Sequence, residues 1–146
     1  MLVTKASGTA MGDLAGRPNG DFPQAYRYDD RDGSLVCVTC PVTPPPRPSL
    51  GSSGFLISGA REVSDPRGLS NDGRTLFFAV GDPLVPEDIN GTGDAYEWHD
   101  GQLALVSSGT SSSPTGPAHA SADGRDMIML ASPEPGTTGD GYWQVY

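Results

Sequence analysis

The feature that most restricts this chain is a five-residue string that occurs twice. Ser70-Asn71-Asp72-Gly73-Arg74 and Ser121-Ala122-Asp123-Gly124-Arg125 share the pattern Ser-x-Asp-Gly-Arg. An Asp-Gly pair makes a tight turn because Gly takes positive φ without steric cost. Each string is followed by a short apolar run: Leu76, Phe77, Phe78, Ala79 and Val80 after the first, Met127 to Leu130 after the second. A run of that length bounded by turn residues suits a strand buried on both faces and is too short for a core helix.

The first string opens a complete unit, Ser70 to Gly109. Gly81 to Gly93 reads as a loop, rich in Pro, Gly and Asx residues. Ala95 to His99 reads as a second strand, with Tyr96 and Trp98 on one face. Asp100-Gly101 is another tight turn, and Leu103 to Ser107 a third strand. Any first strand of the unit must lie before Ser70.

Both ends of the chain carry partial copies. Ala25-Tyr26-Arg27-Tyr28 matches Ala95-Tyr96-Glu97-Trp98, and Asp32-Gly33-Ser34-Leu35-Val36-Cys37-Val38 matches Asp100 to Val106 after a two-residue insertion. Ser70 to Tyr96 spans 26 positions and Ser121 to Tyr146 spans 25, which aligns Val145-Tyr146 with Ala95-Tyr96. Small antiparallel meanders repeated in this way are the signature of β-propeller blades.

Ser-x-Asp-Gly-Arg-x-apolar-Phe, then Asp-x-Asn-Gly-x-x-Asp-x-Tyr, then Asp-Gly-x-Leu-x-Leu-x-Ser resembles the TolB-type, WD-repeat-like propeller blade. The similarity is greatest to the divergent version found in large bacterial surface and secreted proteins. The resemblance covers most of Tyr26 to Tyr146 apart from a Pro-rich insert. It implies an all-β fold of propeller-like antiparallel meander blades. About three blades are present, fewer than the 4–8 of a closed ring, so the expected form is an incomplete, open propeller. The family carries no shared catalytic residues to transfer.

The expected organisation is a partial first blade at residues 1–40, a Pro/Gly/Ser-rich linker at 41–54, a complete blade at 55–109 and a truncated last blade at 110–146. Pro41 to Pro48 is expected as exposed polyproline II, since proline lacks the N–H a sheet needs. Phe55 to Ser58 and Arg61 to Ser64 are candidate strands. Ser107 to Pro117 is expected as a flexible connector, and Tyr142 to Tyr146 as a strand.

A net charge of −9 and a pI near 4.3 argue against nucleic acid as a partner. No stretch has the length and apolarity of a transmembrane helix. Residues 1–16 lack the apolar centre of a signal peptide, so a secreted parent would make this chain an internal or trimmed fragment.

Three groups of residues could carry function. Cys37-Val38-Thr39-Cys40 permits a local disulfide, because a turn brings residues three apart within roughly 4.4–6.8 Å. Free thiols, a zinc half-site and a redox pair are the alternatives. The disulfide reading points to an oxidising compartment. Asp88-Ile89-Asn90-Gly91-Thr92-Gly93-Asp94 sets oxygens of Asp88, Asn90 and Asp94 around a Gly turn, with Glu87 adjacent. That resembles the opening of a calcium loop, although Trp98 stands near the place of the distal Glu. An Asx-rich turn capping its own backbone is the alternative. Tyr96, Trp98 and His99 are candidates for a binding surface, although aromatics at these positions also suit an inter-blade core.

No Gly-x-Ser-x-Gly elbow occurs. The Asp29-Asp30 and Glu87-Asp88 pairs sit in turns, and the Ser-x-Asp-Gly strings lack the spacing of a sialidase Asp-box. The function expected from the sequence is a non-catalytic binding or scaffold module of a bacterial secreted or cell-envelope protein, without a cofactor. The cytoplasm is left open. A propeller-type glycan hydrolase or lyase and a calcium-stabilised structural repeat are the alternatives. Expected partners are a protein or a glycan at the loop faces, with self-association through open blade edges and no membrane insertion.

Overall fold

The computed structural model describes residues 25–39, 68–131 and 144–145. The linker at 41–54, the candidate strands before Gly68, and Cys40 lie outside the described residues. Those described are all-β, with no helix, and form three antiparallel sheets.

The first sheet is a hairpin of β1 (Tyr26–Asp29) and β2 (Ser34–Cys37). The second contains β3 (Thr75–Val80), β4 (Asp94–His99) and β5 (Gln102–Leu105), with β4 central. Ahead of β3, Leu69 bridges Leu76, and the Phe77 N–H donates to the Gly68 carbonyl at 2.8 Å. Pairing to β3 thus begins ahead of Ser70, at the edge of the described residues. The third sheet contains β6 (Thr115–Ala120), β7 (Met127–Ala131) and β8 (Gln144–Val145).

The first and third sheets each match part of the second: β1 and β2 correspond to β4 and β5, and β6, β7 and β8 to the Leu69 bridge, β3 and β4, down to single hydrogen bonds. Tyr26 pairs with Cys37 as Tyr96 pairs with Leu105. The Val38 N–H donates to the Ala25 carbonyl at 2.9 Å, as Val106 does to Ala95 at 2.9 Å. The Thr39 hydroxyl accepts the Ala25 N–H at 2.9 Å, as the Ser107 hydroxyl accepts that of Ala95 at 3.0 Å. At the other end, Leu130 pairs with Val145 as Ala79 pairs with Ala95.

The two Ser-x-Asp-Gly turns also match. The hydroxyls of Ser70 and Ser121 donate to the carboxylates of Asp72 and Asp123 at 2.6 and 2.7 Å. They accept the N–H groups of Thr75 and Asp126 at 2.9 and 3.0 Å. Gly73 and Gly124 both hold φ at 71°. The serine and the aspartate satisfy donors that the reversal of the chain leaves without a strand partner.

The middle sheet lies between the other two, and this explains the composition of β3. Leu76, Phe78 and Val80 face a core with Tyr96, Trp98 and Leu84, closed by Ala25 and Val38 of the first hairpin. Phe78 and Tyr96, directly opposed across the ladder, stack with ring centroids 5.7 Å apart. On the other face, Ala79 meets Gly116 of β6, and Thr75 meets Gly124. All six residues of β3 are buried because each face has a neighbouring sheet. The β4–β5 hairpin closes through Asp100-Gly101 with φ of 47° and 91°, the positive pair that a two-residue turn of type I′ requires.

One segment differs from expectation. Thr115 to Pro117, expected within a flexible connector, begins β6. Pro117 is tolerated because β6 is an edge of its sheet and the register shifts between Pro117 and His119. Two hydrogen bonds tie the third unit to the second, one at each end of β6: Thr115 N–H to the Gly93 carbonyl at 2.8 Å, and Asn71 N–H to the Ala122 carbonyl at 2.8 Å.

Candidate functional site

The loop from Gly81 to Gly93 is organised around Tyr96. Its hydroxyl accepts the Leu84 N–H at 3.1 Å and donates to Asp88 Oδ2. Asp88 is 5% exposed, and its Oδ1 accepts no hydrogen bond among the described residues. Burial pushes the Asp88 carboxyl above the ordinary carboxylate range, against the Tyr96 hydrogen bond, which lowers it. Burial, and then the Asp88 contact, raise the Tyr96 phenol.

Asp94 sits at the start of β4, buried. Its Oδ1 accepts from the Ser107 hydroxyl at 2.5 Å and its Oδ2 from the Asn90 amide nitrogen at 2.7 Å. The Asn90 carbonyl oxygen in turn accepts the Thr92 N–H at 2.8 Å. Ile89 N–H bonds to the Gly109 carbonyl at 3.0 Å. Both oxygens of Asp94, the side-chain oxygen of Asn90 and Oδ2 of Asp88 are thus taken up by donors of the chain, while Asp88 Oδ1 is not. Glu87 is exposed. Among the described residues, no three or more His, Cys, Asp or Glu side chains gather as a metal site.

Of the residues offered above as a binding surface, Tyr96 is 0% and Trp98 3% exposed. They are core side chains, corrected from surface candidates by the first hairpin: the Arg27 guanidinium lies over the Trp98 ring, 5.6 Å from its centroid. His99 is exposed, and its Nδ1 is hydrogen-bonded to the Thr75 hydroxyl at 2.8 Å.

A different place gathers polar side chains. A cleft of about 380 Å³ lies between the first and second units. Arg27 to Arg31 form one wall and Leu69 to Gly73 the other. Arg27 braces it: Nε donates to the Gly73 carbonyl at 2.6 Å and Nη2 to Asp29 Oδ2 at 2.7 Å. Arg31 meets the same carboxylate with Nε at 2.9 Å and Nη2 at 2.6 Å. Arg31 first, then Arg27, holds the Asp29 carboxyl well below the usual range. On the opposite wall Ser70, then the Arg74 N–H, lowers Asp72. Tyr28 is 45% exposed, and Asp30 and Asn71 are open to solvent.

The sequence did not single out this cleft. Its only local trace is the Arg-x-Asp-x-Arg spacing of Arg27, Asp29 and Arg31, where the two arginines lie on one strand and its turn. Cys37 ends β2, and its expected disulfide partner, Cys40, lies outside the described residues.

Fold and geometry define an all-β antiparallel protein made of repeated meander units. No protein-family model, curated protein or solved structure matches the chain. No described helix is long and apolar enough to cross a membrane.

Proposed function

We propose that the chain is a non-catalytic binding or scaffold module built from propeller-type blade units of the TolB, WD-repeat-like kind, working at a cell envelope or outside the cell. The observation that carries this reading is the equivalence of the units: the same turn and cap bonds recur, and neighbouring turns join through Asn71 and Ala122. Such tiling produces a rigid frame that displays loops, and a frame of this kind works by contact.

The glycan hydrolase or lyase alternative has less support. The cleft does hold carboxylates from two units, but Asp29 and Asp72 are both shifted toward the ionised form. A glycosidase acid needs a carboxyl shifted the other way. The calcium-stabilised repeat draws on Asp88, whose Oδ1 is free to accept, yet Asn90 turns its amide nitrogen toward Asp94, an orientation suited to a carboxylate without a cation. A melting midpoint unmoved by chelator removes that alternative.

The test of the tiling is a disulfide trap. In the double variant Asn71→Cys/Ala122→Cys, mild oxidation should link the two turns within the monomer. Failure to link in a folded protein would remove the frame on which the proposal stands. Turnover of chromogenic glycosides by the purified chain would remove its non-catalytic part.

A further inference from the structure

We infer that the cleft between the first and second units binds a neutral oligosaccharide. The inference rests on the binding-module reading and names the ligand class for it.

Three observations converge. The volume, about 380 Å³, is that of a small-ligand site. Tyr28, half-exposed and among the residues that line the cleft, is an aromatic of the kind on which the C–H face of a sugar ring can rest. Around it stand planar polar groups of both kinds: acceptors on Asp30 and Asp72, donors on Arg31, and both on Asn71. A hydroxyl donates once and accepts twice, so a polyol uses such a mixed lining, whereas a phosphate or an ammonium group uses only one half of it.

Charge points the same way. Arg27 and Arg31 converge on Asp29, so both cations are already engaged with an anion. Asp72 is engaged with the Ser70 hydroxyl and the Arg74 N–H. With Asp30 and Asp72 added, the lining sets three carboxylates against two guanidinium groups, a formal charge of −1, too little to select a charged ligand. The wall is also held before any ligand arrives, because Arg27 bonds across the unit boundary to Gly73 and lies on Trp98. A braced wall avoids part of the ordering entropy that weak carbohydrate contacts would otherwise have to offset.

The experiment is a titration of the full-length, isotope-labelled chain with cellohexaose, laminarihexaose, mannohexaose and chitohexaose, read by amide chemical shifts. At least one should shift the amides of Tyr28, Asp30 and Asn71, with a dissociation constant on the order of 1 mM or tighter. Binding should change less than about twofold between low and moderate salt, since no ion pair forms with the ligand. Tyr28→Ala and, separately, Asn71→Ala should each weaken it by about tenfold. Both side chains are outside the core, and a dispersed spectrum shows each variant to be folded.

Absence of shifts for all four sugars at about ten times that concentration overturns the inference. So do shifts that persist unchanged in both variants, or binding seen only with a sulfated oligosaccharide. The disulfide trap separates the two levels of argument. Linked turns without sugar binding overturn the cleft alone, and turns that do not link overturn the frame.

Discussion

Gly73 and Gly124 offer a matched pair for measuring how strongly the second and third units lean on each other. Both hold φ near 71° in the same turn, but their surroundings differ. A methyl group at Gly73 would meet only the Arg27 guanidinium at 3.8 Å, an ordinary contact. At Gly124 it would lie 2.8 Å from Thr75 Cβ and 2.9 Å from both Ser70 Cβ and Thr75 Oγ1. Those atoms are close to the backbone and cannot swing away. Alanine in the left-handed region costs about 1–2 kcal/mol at either site. Overpacking adds about 1–3 kcal/mol at Gly124 alone. The difference between Gly124→Ala and Gly73→Ala should therefore be about 1–3 kcal/mol.

Urea unfolding followed by tryptophan fluorescence gives the comparison. With a slope of about 1–2 kcal/mol/M, the Gly124→Ala midpoint should fall about 1 M below that of Gly73→Ala. Gly33→Ala, with φ of 72° and no atom within 4 Å of the added methyl, should behave like Gly73→Ala. Midpoints for all three within about 0.2 M of each other would refute the claim that the turn of the third unit presses on the second.

Two further predictions follow from buried chemistry. The Asp88 carboxyl is raised above its ordinary 3.8 in the fold, so the folded chain holds this proton more tightly than the unfolded one. Its contribution therefore makes stability fall as pH rises from 3.8 through the raised folded value, opposite in sign to Asp29, Asp72 and Asp100, whose lowered values withdraw stability on acidification below 3.8. Asp88→Asn should flatten the upper limb only, measured as urea midpoint against pH; an unchanged limb removes Asp88 as its source. The Cys37–Cys40 pairing expected from sequence should appear as a mass about 2 Da below the reduced chain, with reduction lowering stability by about 2 kcal/mol, and two alkylatable thiols in the native chain would exclude it.

Much of the fold was legible because turn chemistry is local. Asp-Gly pairs marked the reversals, and the apolar run Leu76 to Val80 marked a strand with two buried faces. The aligned Tyr26/Tyr96 and Val145/Ala95 positions recur as the same register pairs. What the sequence hid depends on neighbours. Tyr96 and Trp98 could have been surface or core until the first hairpin laid Arg27 over the indole. Thr115 to Pro117 has connector composition, yet it pairs with Met129 to Ala131 of β7, while Gly116 fits against Ala79 and Thr115 bonds to Gly93. In the acidic loop, Asp88 and Asp94 each accept from a hydroxyl, that of Tyr96 on β4 and that of Ser107 after β5, contacts that no spacing within the loop announces. The cleft joins residues 38 to 46 positions apart, beyond the reach of any local motif.

The hydrogen bond from Asn71 to Ala122 joins successive units at their reversals, away from the segments that connect them. Equivalent tyrosines in the first two units are 70 positions apart, while equivalent serines in the next two are 51 apart. Spacer length is thereby released from geometric duty. Between the second and third units, insertions can accumulate in the connecting segment without altering how one rests on the other, and new loops can arise there.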